Sequence, residues 1–477
     1  MKNLFFLIVF TTISSFGQQK VYSFKDFDLK VMGLKQTHET YPVLGVFKLD
    51  EKKVETKNYD AYKQLIYHDF LKFARNKGIR FTDFEYRPML FFPISILVQS
   101  NGVADYLVYG LKPETIKINN KPKKLDSLSA DETKIFTEIA ESFCKEYKFP
   151  QFQNATNYNV SLNMTFGKTP RKVSSRGITT IEVAEKTTRP DTVKSLIFNK
   201  LYLEKFPEFI FRFKNLEGLD LSDNMIEQVP RRVLKLKKLS FLNLSGNFVD
   251  YSKFRFERNK HLKYLSLQFT GMTKIPKSLR RNRRLEILFL GNNSLVFSDK
   301  DFKRMNYLRT LNLYNVQATK LSKSIGKLQN LEELDLYYNN FRFLPDEICQ
   351  LKNLKTLAVA HNQLWNLPDE LAQMPNLQVI YAHHNRLDSL PTLPNLKLLD
   401  IGYNLFKVFP EQVYGLKNLE EIDITNNEIT DTPEKLSALQ NLQRVFMRGN
   451  GFSDKEQKNA ALEKLTADLE LRKVIVR

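Results

Sequence analysis

Six histidines occur in the chain, and three of them, His361, His383 and His384, lie close enough in sequence to raise the question of metal or acid–base chemistry. Imidazole is a frequent transition-metal ligand, but a zinc site needs three or four ligands in matched geometry. Neither an HExxH helix nor paired-cysteine spacing accompanies these residues. The sequence therefore assigns them to a protein contact or to plain surface and assigns no metal. Cys144 and Cys349 are the only cysteines, and each sits in an apolar helical pattern that suits a small core filler better than a nucleophile. They fall in different segments, so burial and not disulfide bonding must hold the chain together. Gly167-Lys168-Thr169 lacks the upstream glycine of a phosphate cradle, and no GxSxG or GxGxxG motif occurs. The chain reads as non-enzymatic and without a cofactor; an enzyme in the first domain would need an acid or nucleophile cluster not visible in the sequence.

A repeat dictates the elements that carry these residues. The frame L-x-x-L-x-L-x-x-N-x-L is filled by Leu216, Leu219, Leu221, Asn224 and Ile226, and 23 residues later by Leu239, Leu242, Leu244, Asn247 and Val249. Frames at Leu262, Leu285, Leu308, Leu331, Leu354 and Leu377 keep the step, Leu396 follows after 19 residues, and Leu419 and Leu442 resume it. With a looser opening frame at Val193 there are 12 repeats. The short step crosses Leu390-Pro391-Thr392-Leu393-Pro394, which predicts an extended return segment. The L-x-L alternation predicts a short strand with one buried face, and the leucines of successive frames can stack into one core. Asparagines at 224, 247, 293, 339, 362, 385, 404, 427 and 450 would pair with buried backbone groups at each turn, whereas Thr270 and Val316 should weaken that ladder. Segments such as Leu344-Pro345-Asp346-Glu347-Ile348 predict a helical turn on the outer wall.

Over residues 193–452 this pattern resembles the leucine-rich-repeat family. The resemblance implies an α/β leucine-rich-repeat solenoid, a horseshoe with parallel strands on its concave face. The solenoid is expected over 191–452, closed by a cap over 453–477 with a helix from about Asp454 to Leu471. In such a strand the non-leucine positions face outward. They include Tyr264, Phe269, Phe289, Tyr314, Tyr337, Tyr338, His361, Tyr381, His383, His384 and Tyr403, with Glu333 and Asp335 among acidic interruptions. Aromatic side chains give large contact areas with few rotamers to freeze, so this stripe is the expected partner-binding surface. The competing explanation is that strands favour aromatics anyway.

Residues 18–170 show no such period and predict a small α/β domain: a helix over 58–77, a hairpin over 94–109, a helix from Ser129 to about Tyr147 and a strand over 159–166. The order of hairpin, helix and strand over residues 91–168 loosely resembles the C-terminal domain of TonB, which implies small α/β packing more securely than any transport role. Residues 171–190, basic and rich in serine and threonine, read as a linker.

Met1-Lys2-Asn3, the apolar run Leu4–Phe10 and the small residues Ser15 and Gly17 fit a signal peptide over 1–17, too short to span a bilayer as a helix. The expected destination is outside the cytoplasm: periplasm, cell surface or medium. A bacterial source fits the composition. The net charge of +20 raises anionic partners, and its early clusters, such as Arg231, Arg232, Lys277, Arg280, Arg281, Arg283, Arg284, Lys300 and Lys303, fall on return segments of the outer wall. That wall could touch anionic lipid or envelope polymer; specific nucleic-acid readout is not expected. The leading expectation is a protein partner held on the concave face, and the alternative is an envelope scaffold that docks through the first domain.

Overall fold

The computed structural model describes residues 177–477 except 252, 253, 395 and 454–458, and before them the segments 10–12, 19–21, 59–79, 92–99, 104–109, 115–118, 121–124, 130–149 and 157–164. Most of the expected signal peptide, and the Asn101-Gly102 turn of the expected hairpin, lie outside the described residues. The chain divides into two compact units, residues 1–172 and 173–477.

In the first unit the helices Tyr59–Asn76 and Ala130–Glu146 pack through aromatic residues. Phe70 meets Phe143 edge to face at 5.2 Å, and Phe143 meets Phe149 at 5.7 Å. Ile66, Phe70 and Ala74 repeat at helical spacing and are buried, which is why this stretch forms an amphipathic helix. The Tyr147 hydroxyl donates to Asp69 Oδ2 at 2.5 Å and ties the end of one helix to the middle of the other. The strand Phe92–Gln99 pairs antiparallel with Ala104–Tyr109 on one side and Asn157–Met164 on the other. Cys144 is buried in the helix pair, and burial raises its thiol pKa far above the usual value, so it is inert.

The second unit carries a sheet of 13 parallel strands, each beside its sequence neighbour. Twelve are three-residue strands built on the repeat frame, from Ser195–Ile197 to Arg444–Phe446; the last is Ile475–Val476, which pairs with Arg444 and Val445. The central residue of each three-residue strand points inward, and Leu219, Leu242, Leu265, Leu288, Leu311, Leu334 and Leu357 are essentially buried. Register passes unbroken through the shortened repeat, where Ile380 pairs with Leu399, because the missing residues come out of the return segment alone. The opposite wall is made of 3-10 turns such as Asp346–Gln350 and Asp369–Gln373, whose leading prolines have the fixed φ that a first turn requires. No such turn lies between Tyr381 and Leu398 among the described residues.

The asparagine ladder takes up the backbone groups that this wrapping buries. Asn339 Nδ2 donates to Leu313 O in the preceding coil at 2.9 Å and to Leu336 O in its own coil at 3.0 Å; its Oδ1 accepts from the N–H groups of Val316 and Ala318, both at 3.1 Å. Thr270 keeps only the bond within its own coil, to Leu267 O at 2.8 Å, together with a contact to Asn293 Oδ1 at 3.2 Å. At Val316 the amide is absent, and the N–H of Leu295 goes to the Val316 carbonyl at 2.9 Å. Two positions in the middle of the sheet thus carry a thinner ladder.

Both ends of the solenoid core are covered. Within the stretch expected as a linker, residues 177–190 are built onto the first coil. Ile178 bridges to Leu196, the helix Ile181–Lys186 buries Ala184 in the core, and Arg212 donates to the carbonyls of Glu185 and Thr187. Gly177 permits this approach, since a Cβ there would stand 2.5 Å from Ser195 O. At the other end the helix Ala460–Leu471 is capped by Asn459, which accepts from the Leu462 N–H at 3.1 Å, and residues 454–458 of the expected helix lie outside the described residues. Leu465 and Leu469 close the core, and Arg472 donates to the carbonyls of Ser437 and Leu439 on the last outer turn.

The ladder sets a stability order. Asn339→Ala strands several buried polar groups, each worth about 1–3 kcal/mol, whereas Thr270→Ala removes one hydroxyl from an already thin rung. Urea unfolding of the full chain should show a clearly lower midpoint for Asn339→Ala than for Thr270→Ala; equal midpoints would contradict the ladder's role.

Candidate binding face of the solenoid

Each repeat presents outward side chains from four places: the two outer residues of the strand, the second residue after the strand, and the residue just before the ladder position, which is asparagine in nine repeats and Leu201, Thr270 and Val316 in the other three. The last of these has left-handed backbone in every repeat. Lys200, Asp223, Gly246, Phe269, Asn292, Asn315, Tyr338, His361, His384, Tyr403, Asn426 and Gly449 all have φ between 50° and 72°. Glycine and asparagine adopt this region readily, whereas tyrosine and phenylalanine do so at a steric cost. Tyr338, His361, His384 and Tyr403 occupy it in four consecutive repeats, with φ of 52° to 56°.

Because the backbone repeats at these positions, their side chains leave in parallel and the four rings form a column. Tyr338 stacks on His361 at 4.1 Å and 8°, His361 on His384 at 4.2 Å and 17°, and His384 on Tyr403 at 4.1 Å and 14°. These spacings are shorter than the roughly 4.8 Å between strands, so the rings lean together. Tyr403 at the end of the column is exposed. Tyr314 joins at the other end, 5.2 Å from Tyr338. Phe269 has the same backbone but stands apart from the stack, because Asn292 and Asn315 fill the two intervening repeats and hydrogen bond to each other at 3.0 Å.

Beside the column lie Tyr337, Tyr381 and His383. Tyr337 is 6.2 Å from Tyr381 and 5.6 Å from His383, centroid to centroid. Burial, with Asp400, Tyr381 and Asp335 nearby, raises the Tyr337 phenol well above its ordinary pKa and keeps it a hydrogen-bond donor. Asp400 was not singled out from the sequence, yet its Oδ2 lies 2.6 Å from His383 Nδ1. Asp335 is also partly committed internally: it accepts from Asn312 Nδ2 at 2.6 Å and from the Tyr337 N–H at 3.0 Å, and burial raises its pKa. Glu333 is exposed at the end of its rung, 3.3 Å from the Thr310 hydroxyl. The neighbouring Glu332 is flanked by Lys355 at 2.7 Å and Arg309 at 3.1 Å, and Glu421 pairs with Arg444. Much of the expected acidic character of these rungs is therefore neutralised sideways along the sheet.

A second aromatic group lies toward the start of the solenoid. Tyr264 stacks on Phe241 at 4.3 Å and meets Phe289 edge to face at 5.5 Å. Phe241 is a strand residue in the same column as Tyr264, so the repeat frame alone could have found it. Other exposed apolar residues follow the ladder asparagines: Val296, Phe343, Trp365 and Val408. Trp365, the only tryptophan, lies under the Arg386 guanidinium at 5.5 Å. Cys349 is buried on the outer wall, its thiol pushed up to about 12 by burial, consistent with a core filler.

Known proteins match this architecture at the level of the repeat. A profile described as leucine-rich repeat region matches residues 296–385, and one described as leucine rich repeat matches 394–452. Residues 296–452 are a leucine-rich-repeat segment. The 13-stranded parallel sheet extends that architecture over the whole second unit, making it an α/β leucine-rich-repeat solenoid. No curated protein matches the chain. Among solved structures, a leucine-rich-repeat protein of Leptospira interrogans is 23% identical, with 64% of this chain and all of that one covered and a TM-score of 0.41. An internalin of Listeria monocytogenes is 20% identical over 62% of this chain and 92% of its own, with a TM-score of 0.48. The Toll–Spätzle complex of Drosophila gives 21% identity, 54% and 36% coverage and a TM-score of 0.46.

The left-handed backbone of the leucine-rich-repeat turn can be tested by inverting a common rule. Tyr403→Gly should be more stable than Tyr403→Ala by about 1 kcal/mol, because only the alanine retains a strained Cβ. At the strand position Phe289 the order should reverse, with Phe289→Gly below Phe289→Ala. Thermal unfolding of the four variants checks both signs.

Proposed function

We propose that this chain is a non-enzymatic recognition protein that binds a protein partner on the sheet face of its leucine-rich-repeat solenoid. The observation that carries the reading is the column Tyr338, His361, His384 and Tyr403, held in left-handed backbone and stacked at 4.1 to 4.2 Å. Folding alone gives no reason to place bulky rings where glycine or asparagine costs less, and such local strain concentrates at binding sites. Tyr264, Phe269, Phe289, Tyr314, Tyr337, Tyr381 and His383 extend the surface, with Glu333 and Asp335 as polar contacts. Extended repeat faces suit macromolecular partners, and large aromatic side chains at the centre of such a face are where binding energy concentrates.

The amino-terminal signal-like segment supports export to periplasm, cell surface or medium. Among the described residues no helix is long and apolar enough to cross a membrane. A second reading rests on the outer wall, where Lys277, Arg281, Arg283, Lys300 and Lys303 are exposed and none forms an ion pair among the described residues. That band suits an anionic lipid or envelope polymer.

Pull-down from envelope and culture fractions with the full chain separates the two readings. A Tyr337→Ala, Tyr338→Ala, His384→Ala variant that keeps its fold should lose a specific polypeptide, while Arg281→Gln with Arg283→Gln should retain it. The reverse pattern would move recognition to the basic wall.

A further inference from the structure

The three histidines that lack any metal-binding motif in sequence converge in space. His361 and His384 occupy the left-handed position of adjacent repeats, and His383 precedes His384, so two coils deliver three imidazoles to one spot. One ring nitrogen from each lies within 4.8 Å of the other two, and all three side chains are half-buried. His383 stands nearly perpendicular to both neighbours, at 87° to His361 and 77° to His384, with centroids 5.2 and 5.4 Å away. We infer that His361, His383 and His384 form a binding site for a divalent transition ion of the Zn²⁺ or Cu²⁺ class.

Asp400 supplies a second, independent element of such a site. Its Oδ2 lies 2.6 Å from His383 Nδ1. A carboxylate there fixes the tautomer with the proton on Nδ1 and directs the lone pair of Nε2 away from it, the carboxylate–histidine–metal arrangement that orients ligands and raises their basicity. Three imidazoles without thiolate favour zinc, copper or nickel over magnesium or calcium, and they leave a coordination position for water or an outside donor.

Closure is small. Metal–nitrogen distances of about 2.0–2.1 Å place tetrahedral ligands roughly 3.4 Å apart, so the nitrogens must approach one another by at most about 1.4 Å. His361 and His384 are stacked, which leaves their in-plane lone pairs in nearly parallel planes. Binding therefore rotates one of these rings out of the Tyr338–Tyr403 column, and the ion replaces a stacking contact with a bond. This site does not depend on the protein-partner reading, since it is tested with the metal alone.

Isothermal titration of zinc chloride or copper chloride into the chelator-treated full chain, without a polyhistidine tag, is the direct test. The expected result is roughly one equivalent bound, with magnesium silent. His361→Gln, His383→Gln and His384→Gln should each weaken binding at least tenfold, Asp400→Asn should weaken it by about tenfold to a hundredfold, and His261→Gln should leave it unchanged. Circular dichroism of the metal-free variants establishes that each is folded; if the Asp400 variant is not, the single histidine variants decide. Sub-stoichiometric uptake by the parent chain, or undiminished uptake by the folded histidine variants, would overturn the site.

Discussion

A parallel coil that wraps back on itself buries backbone N–H and C=O groups at every turn, and the rest of this solenoid depends on an amide side chain that satisfies them in nine of its twelve repeats. Asn339, Asn362, Asn385, Asn404 and Asn427 each bridge their own coil and the one before. The chain turns sharply just ahead of this position in every repeat, including those with Leu201, Thr270 or Val316 in place of asparagine, and the preceding residue lies in the left-handed region. The column of rings at Tyr338, His361, His384 and Tyr403 is a by-product of that constraint. The turn repeats the same backbone in each coil, so the side chains at Tyr338, His361, His384 and Tyr403 leave in parallel and stack. The proposed binding surface thus follows the same repeated turn that carries the ladder.

Charge is distributed by the same periodicity. Acids and bases at equivalent strand positions fall beside one another on adjacent rungs, as Lys194 beside Glu217, Lys263 beside Glu286, and Glu332 between Arg309 and Lys355. Exposed pairs of this kind contribute little stability, but they flatten the potential along that margin of the sheet. Asp335 and Asp423 differ in sitting deeper, among aromatic or hydroxyl neighbours, and their pKa values, like that of Asp223, are raised chiefly by burial. The face therefore offers rings and hydrogen-bonding groups toward its middle, while Arg231, Arg232, Lys277, Arg280 and Arg281 lie in 3-10 turns of the opposite wall.

The repeating part of this architecture was legible in the sequence because its signal is periodic: Leu219, Leu242 and Leu265 recur with the strand, Asn224 and Asn247 with the turn, and the thin rungs at Thr270 and Val316 follow from a single residue type. What was not legible is non-periodic or dihedral. Nothing in the letters of Tyr338 or His361 distinguishes a strand position from a left-handed turn position, so the two columns looked like one stripe. Asp400 was hidden because its partner, His383, lies in the previous coil across the 19-residue repeat. Residues 177–190 looked like a linker since serine, threonine and basic residues dominate there, yet Ala184 and Ile178 seat the segment against the first coil. Phe241 was overlooked although the frame places it directly before Tyr264.

Site-specific photocrosslinking is the most direct test of the claim that the sheet face is the recognition surface. A benzophenone amino acid at Tyr381 preserves an aromatic ring at the centre of the face, and the same group at Arg281 probes the outer wall. Illumination in the native environment should join Tyr381 to one defined polypeptide and leave Arg281 without that product. A product at Arg281 alone, with none at Tyr381, would contradict recognition by the sheet face.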